Sequence, residues 1–129
     1  MQENVLTVQI KTSLEELFNY TTRPWNTHLW IDEVVAEDCS PWPPQVGVSH
    51  YRNKGHDGVW TDYKLVAYEP NALFELAKID GSFGVRYTYA DLGEGKVELT
   101  YREWVNEGEI TCPFGQDALD KLKRMMEAV

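Results

Sequence analysis

The chain ends with residues 113–129, PFGQDALDKLKRMMEAV. The apolar side chains of this stretch recur at steps of three and four residues, the period that places them on one face of an α-helix: Leu119, Leu122, Met125, Met126 and Val129. Pro113 suits a first helical turn, where its missing N–H group is not needed. Acidic residues come early and basic residues late, as the helix dipole prefers. The stretch therefore predicts one long amphipathic helix at the end of the chain.

Nearly all of the preceding sequence favours β-strands. An opening strand is predicted over 5–10, where apolar and polar residues alternate. Further strands are predicted over 31–36, 46–54, 59–69, 72–79, 83–92 and 96–106, most of them ending in the Gly, Asp, Asn or Pro residues of tight turns. The proline-rich segment 38–45, DCSPWPPQ, is predicted to be a loop. Short connections between neighbouring strands indicate an antiparallel sheet.

Two short helices are predicted between the first strand and the rest. Thr12 or Ser13 can cap the first helix, whose apolar side carries Leu14, Leu17 and Phe18. Pro24 opens the second helix, which carries Trp25, His28 and Trp30. A sheet with one apolar face needs a second layer, and the C-terminal helix is the only long candidate. The predicted class is α+β, with one domain covering residues 1–129.

The composition excludes several classes of partner. Twelve basic and 21 acidic residues give a net charge of −9, which disfavours binding to nucleic acid or to an anionic membrane. No apolar run approaches the ~20 residues of a membrane span, and the opening MQEN has no feature of a signal peptide. We therefore expect a cytoplasmic protein. Cys39 and Cys112 fit no metal-binding or redox spacing and are expected to be reduced thiols. Neither a metal nor a cofactor is predicted.

The order of elements, with these residues, resembles the START-like superfamily of polyketide cyclases, lipid-transfer proteins and related cavity proteins, often called SRPBCC. The resemblance is carried by VLTVQIKTSLEELFNYTTRPWNTHLW, DGVWTDYKLVAYEPNALFEL, VRYTYADLGEGKVELTYREWV and CPFGQDALDKLKRMMEAV. These stretches share element order and apolar spacing with the family, and they include no catalytic signature. The resemblance implies a helix-grip fold, in which a curved seven-stranded antiparallel sheet wraps around the C-terminal helix. It also implies an elongated apolar cavity, with the two short helices and the loop tips around its mouth.

Alternation along the predicted strands places four tyrosines on the face toward the helix: Tyr63, Tyr87, Tyr89 and Tyr101. In a cavity their hydroxyls would orient a ligand by hydrogen bonds. Alternatively, the rings fill a core between sheet and helix. The helix would supply an apolar, adaptable wall from Leu122, Met125 and Met126, which are equally ordinary core residues. A one-residue bulge would invert the faces of any strand.

Glu103 and His28 are the candidates for acid–base chemistry. Glu103 shares the predicted inner face, and a buried carboxylate without a partner can act as a general acid or base. Alternatively, Glu103 lies near the open end of its strand or pairs with Arg52 or Arg86. His28 lies on the second short helix, at the implied mouth, or on the solvated surface. His50 and His56 are expected to be solvated.

Three tryptophans, Trp25, Trp30 and Trp42, are predicted to surround the cavity mouth. Trp25 and Trp30 can equally plug one end of the core, and Trp42 can equally pin the proline-rich loop. Two more tryptophans, Trp60 and Trp104, lie on the predicted outer face of the sheet. If both are exposed, they indicate a homodimer contact.

Three functions are compatible with these features. The first is binding of a hydrophobic or aromatic small molecule, lipid-like or polyketide-like, between sheet and helix. The second is a cyclase, dehydratase or hydrolase that acts on such a molecule. The third is a protein-interaction module similar to the co-chaperone branch of the same fold.

Overall fold

A computed structural model describes residues 1–128. Its elements are β1 (Gln2–Lys11), α1 (Leu14–Thr22), α2 (Thr27–Trp30), β2 (Ala36–Ser40), β3 (His50–Lys54), β4 (Trp60–Glu69), β5 (Leu73–Lys78), β6 (Phe83–Gly93), β7 (Lys96–Val105) and α3 (Gln116–Glu127). A 3₁₀ turn over Pro24–Asn26 leads into α2. Val129, which was predicted on the apolar face of the last helix, lies outside the described residues.

The seven strands form a single antiparallel sheet in the order β1-β7-β6-β5-β4-β3-β2. Strands adjacent in the chain are adjacent in the sheet, except that β1 pairs with β7 along its whole length, from Gln2 opposite Val105 to Lys11 opposite Lys96. The sheet is curved around the helical layer. The predicted helix-grip α+β fold is therefore confirmed.

The first helix begins at the cap that the sequence predicts. Ser13 Oγ accepts a hydrogen bond of 3.1 Å from the Glu16 backbone N–H, which has no partner within the helix. The helix ends with Thr21 and Thr22, two residues of low intrinsic helix propensity. The two hydroxyls donate to backbone carbonyls one turn back, at 2.8 and 2.7 Å, so they fit a last helical turn.

The last helix is shorter than predicted, because it begins at Gln116 and not at Pro113. Leu119 and Leu122 are its fully buried residues. The helix lies along β1, where Lys123 Nζ donates to the carbonyl of Gln9 at 2.8 Å. It therefore covers one side of the concave face, and α1, α2 and the segment 31–35 cover the remainder.

The second strand differs from its prediction. A strand was predicted over 31–36, but β2 occupies Ala36–Ser40, and the predicted loop 38–45 therefore begins within this strand. The predicted strand 46–54 is paired only from His50 onward. The reason is that β2 is a polar edge strand without apolar alternation. Its position is fixed by pairing with β3, where Glu37 lies opposite Asn53 and Cys39 opposite Tyr51.

The predicted inner faces of β6 and β7 are confirmed by burial, but β4 changes face along its length. A register shift follows Leu65 in the pairing of β4 with β5. Strict alternation along the predicted strand 59–69 places Tyr68 on the face opposite Tyr63, the outer one, but beyond this bulge Tyr68 packs against Phe18 and Phe74 in the core. A bulge of this kind inverts the alternation of all later residues in the strand.

Gly84 is required by the ring that lies over it. A Cβ atom at this position would clash with the Trp104 ring on the neighbouring strand. The substitution Gly84→Ala is therefore expected to lower the free energy of unfolding by about 1–3 kcal/mol, measured by urea denaturation. In the double variant Gly84→Ala/Trp104→Ala the clash is removed, so the loss caused by the alanine at 84 should largely disappear. Simple additivity of the two substitutions would contradict this explanation.

Within residues 1–128, no helix combines the length and the apolar character that crossing a membrane requires.

Candidate functional site

A cavity of about 240 Å³ lies between the concave face of the sheet and the segments that cover it. The sheet contributes Glu37, Asn53, Tyr63, Phe74, Leu76, Phe83, Val85, Tyr87 and Tyr101. The covering side contributes Thr21, Thr27, Ile31, Glu33, Val34 and Phe114. The lining therefore combines apolar and aromatic side chains with a few polar groups, which is the composition of a small-molecule site.

Two outer spaces share lining residues with the cavity. Glu33 and Phe114 also line an outer groove of about 510 Å³ beside α3. Tyr63 and Phe83 also line an outer cleft of about 310 Å³. The groove is the larger space, but its lining is mostly charged, and Lys121 is already paired with Asp32 at 2.9 Å. We therefore take the inner cavity as the candidate site.

Of the two carboxylates that line the cavity, Glu33 is exposed and Glu37 is partly buried. The Thr27 hydroxyl donates to its Oε1 at 2.6 Å, and Asn53 is a second hydrogen-bond partner. Burial is the largest influence on this group, and it raises the pKa of Glu37 to about 7 against the opposing effect of both hydrogen bonds. The neighbouring charge of Asp38 raises the pKa further. At neutral pH the cavity therefore holds a carboxyl group that exchanges a proton readily.

Three of the four predicted tyrosines line this cavity: Tyr63, Tyr87 and Tyr101. Burial raises the pKa of each phenol, so all three remain neutral hydrogen-bonding groups. The Tyr101 hydroxyl donates to Glu103 at 3.1 Å. The Tyr87 hydroxyl makes no side-chain or backbone hydrogen bond within residues 1–128, although the ring is buried. It is therefore free to bond a molecule in the cavity.

The fourth tyrosine, Tyr89, lies elsewhere. Its hydroxyl is 2.5 Å from Thr21 Oγ1, and its ring packs against Phe18 at a centroid distance of 5.2 Å. Tyr89 is a core residue that ties α1 to the sheet, and it does not line the cavity.

Glu103 is buried, with 3% of its surface exposed. Its carboxylate accepts three hydrogen bonds, from Asn4 Nδ2 at 2.9 Å, from the Tyr101 hydroxyl at 3.1 Å and from the Phe114 backbone N–H at 2.7 Å. It pairs with neither predicted arginine, since Arg52 binds Asp38 and Arg86 binds Glu75. Glu103 faces the outer cleft and not the inner cavity. The contacts fit a carboxylate that holds Phe114 in place.

The helical residues predicted as cavity wall have other surroundings. Leu122 is fully buried in the core, and Met125 and Met126 pack partly buried against it. None of the three lines the cavity. Phe114, which precedes α3, contributes that wall by stacking on Tyr101 at a centroid distance of 4.1 Å.

The predicted mouth residues are also not brought together around the cavity. Trp30 is buried beneath Tyr87 and Phe114. The rings of Trp25 and Trp42 pack against each other with their centroids 5.0 Å apart, and the Arg23 guanidinium lies over both rings. His28 is exposed on α2. Of the residues that do line the cavity, Glu33 is the exposed one.

The two outer tryptophans do not form one patch. Trp60 is 40% exposed on β4 and is covered by Arg52, whereas Trp104 is partly buried on β7 under Arg102. Two strands separate β4 from β7 in the sheet.

Sequence reasoning missed Glu37, Asn53, Thr27 and Phe114. Their common feature is that each lies in or beside a segment without apolar periodicity. The one available signal was the pairing of β2 with β3, which turns Glu37 and Cys39 to the same side as Tyr51. That register follows from the fold and not from a local motif.

No group of three or more His, Cys, Asp or Glu side chains within the described part of the chain is placed to hold a metal ion.

Comparison with solved structures identifies the fold class. A protein from Mesorhizobium loti is similar with a TM-score of 0.76 and 18% sequence identity, covering 98% of both chains. A START superfamily protein from Mycobacterium smegmatis gives a TM-score of 0.71 and 15% identity, covering 98% of this chain and 97% of its own. The Aha1 dimer from Colwellia psychrerythraea gives a TM-score of 0.69 and 16% identity, covering 98% of this chain and 97% of its own.

These similarities show that the chain has the START-like fold that the sequence resemblance implied. Neither a family model nor a curated protein sequence matches the chain.

Proposed function

We propose that this chain is a single cytoplasmic domain that binds a small, mostly apolar molecule in the cavity beside Glu37. The observation that carries the proposal is the cavity itself, because a fully packed core would leave no such space. Its walls combine apolar surface with a few convergent polar groups, as ligand sites do.

The size of the cavity limits the ligand. An apolar cavity of about 150 Å³ holds one benzene molecule. In proportion, a space of about 240 Å³ suits a ligand of roughly ten non-hydrogen atoms. This favours a molecule with one or two rings over a long-chain lipid.

The charge of the cavity also limits the ligand. Its charged lining residues are Glu33 and Glu37, both acidic. A carboxylate or phosphate ligand would bring a like charge into a site of low polarity, which is unfavourable. We therefore infer an uncharged or cationic ligand rather than a fatty acid.

The proposal is tested by filling the cavity. Val85 lines the cavity, whereas Val66 is exposed on the outer side of β4, so Val85→Trp and Val66→Trp make the same chemical change at an inner and an outer position. We expect the neutral probe 2-phenylethanol to bind the wild type with a Kd of about 1 mM or tighter. Val85→Trp should weaken binding at least about tenfold, and Val66→Trp less than about twofold.

The measurement is isothermal titration calorimetry, with thermal unfolding of each variant as a check on its fold. Equal binding to the wild type and to Val85→Trp would contradict the proposal, as would the absence of binding to the wild type.

A second candidate function is acid–base catalysis on the bound molecule, as in a cyclase, dehydratase or hydrolase. It is favoured by the position of Glu37, a carboxyl group with a pKa of about 7 inside the cavity. Glu103 and His28, the predicted catalytic candidates, do not line this space. Covalent change of a molecule that binds in the cavity, detected by mass spectrometry, would establish this function in place of simple binding.

The interaction hypothesis has less support. It needs a broad exposed apolar patch, and Trp60 and Trp104 lie apart, each covered by an arginine. One similar structure is a dimer of Aha1, so homodimer formation stays a prediction for this chain.

A further inference from the structure

The charged side chains of the cavity are all acidic. No lysine, arginine or histidine lines it within residues 1–128, and Glu37 takes part in none of the ion pairs there. Glu37 interacts through hydrogen bonds or through its charge with titratable and polar groups on every adjacent element. These groups are Asp38 and Cys39 on β2, Thr27 on α2, Tyr51 and Asn53 on β3, Tyr63 on β4, and Tyr87 on β6. Glu37 is partly buried, and a carboxylate that is removed from water without a cation beside it is unfavourable. A cationic group of a ligand would complement it.

The walls around Glu37 also favour a cation. Six of the fifteen lining residues are aromatic: Tyr63, Phe74, Phe83, Tyr87, Tyr101 and Phe114. The ring centroids of Tyr87 and Tyr101 are 5.5 Å apart, and Phe114 stacks on Tyr101, so three rings form a continuous surface. The faces of aromatic rings carry negative charge density and attract ammonium groups. The same rings provide apolar area for the rest of a ligand.

An acceptor atom is available for the N–H groups of such a ligand. The Tyr87 hydroxyl oxygen has no partner among the described residues, and Tyr87 lines the cavity. The net charge of −9 attracts cations to the molecule as a whole.

We propose that the cavity binds a small organic amine, with its ammonium group against the Glu37 carboxylate and its apolar body among the rings of Tyr87, Tyr101 and Phe114. This inference rests on the proposed function, because it names the ligand class of the same cavity.

The test compares two probes that differ only in their terminal group, 2-phenylethylamine and 2-phenylethanol. At pH 8 the amine is expected to bind the wild type at least about tenfold more tightly than the alcohol, because only the amine pairs with the carboxylate. In Glu37→Gln this preference should fall to about twofold or less, since the shape of the side chain is kept and its charge is removed. Both affinities are measured by isothermal titration calorimetry.

The matched control is Asp38→Asn. Asp38 is adjacent to Glu37 but points away from the cavity and pairs with Arg52 at 3.0 Å. This variant loses the same charge from the next residue, and it should keep the preference for the amine. Equal loss of preference in both variants would assign the effect to the overall charge of the protein and overturn the proposal.

The preference should also depend on pH. Burial places the pKa of Glu37 at about 7, so the carboxyl group is largely protonated at pH 5.5 and largely ionised at pH 8. The affinity of the wild type for the amine is therefore expected to fall about tenfold from pH 8 to pH 5.5, while its affinity for the alcohol changes less than about twofold. Glu37→Gln keeps every other ionisable group of the chain, and it should show no such fall.

The outcomes distinguish failure of the amine proposal from failure of the proposed binding function. If both probes bind equally well and Glu37→Gln changes neither, the amine proposal is wrong and the proposed binding function stands. If neither probe binds the wild type, both are wrong. Binding of the alcohol to Glu37→Gln shows that the variant retains its cavity, so a lost amine preference cannot be attributed to misfolding.

Discussion

Glu37→Gln is expected to stabilise the protein at pH 8, by about 2–3 kcal/mol, and to leave its stability at pH 4 nearly unchanged. Burial raises the pKa of Glu37 from 4.5 to about 7. Below pH 4.5 the carboxyl group is protonated in both the folded and the unfolded chain, so it contributes no difference. Between the two pKa values the folded state holds a proton that the unfolded state has lost, and the stability of the wild type falls as the pH rises. Above pH 7 the carboxyl group is ionised in both states, and the loss of wild-type stability has reached its full value.

The measurement is urea denaturation of the wild type and of Glu37→Gln at intervals from pH 4 to pH 9. The wild-type free energy should decline most steeply between about pH 5 and pH 7, relative to the variant. Asp38→Asn serves as control, because an exposed ion pair contributes only about 0–1 kcal/mol and its removal should cause a small loss. Parallel curves for the wild type and Glu37→Gln would show that the carboxyl group is not buried as described.

Glu103→Ala is expected to have the opposite effect, a loss of about 3 kcal/mol. The substitution leaves three donors without their acceptor: Asn4 Nδ2, the Tyr101 hydroxyl and the Phe114 backbone N–H. A buried donor that loses its acceptor costs about 1–3 kcal/mol, and a truncated buried side chain also leaves a cavity. Because Phe114 lines the inner cavity, binding of 2-phenylethanol should weaken in the same variant.

The control for this prediction is Glu98→Ala, five residues earlier on the same strand and on its opposite face, where the carboxylate has only an exposed contact with Gln9 at 3.4 Å. Its effect should stay within about 0.5 kcal/mol. Glu103→Gln keeps one carbonyl oxygen and should lose about 1 kcal/mol. The free energy of unfolding is measured by urea denaturation at pH 7. A loss of less than about 1 kcal/mol for Glu103→Ala would mean that water replaces the carboxylate and that Glu103 does not hold Phe114 in place.

The parts of the fold with apolar periodicity could be predicted from the sequence. The alternation in β7 gave the burial of Tyr101 and Glu103 correctly, and the three- and four-residue steps of α3 gave Leu119 and Leu122. In both elements local sequence and burial have the same cause, since one face packs against the core. The bulge after Leu65 has no such signal, and it inverted the predicted face of Tyr68.

The candidate site was less predictable because its groups meet only through long-range pairing. Glu37 lies on a polar edge strand, and its environment depends on Thr27, ten residues earlier, and on Asn53 across the sheet. Glu103 was recognised as an inward-facing carboxylate. Its donors, however, come from Asn4 and from the backbone of Phe114, which no spacing along the chain relates to it.

The pairing of β1 with β7 also determines when this molecule can be completed during its synthesis. The first strand, Gln2–Lys11, finds its partner only when Lys96–Val105 has been made, and most of the chain lies between them. Phe114, the last wall of the cavity, follows still later, and its amide is held by Glu103 beside Asn4. Contacts between residues so distant in sequence form late and slowly. A growing chain therefore carries its second to sixth strands without a completed cavity until Phe114 has left the ribosome.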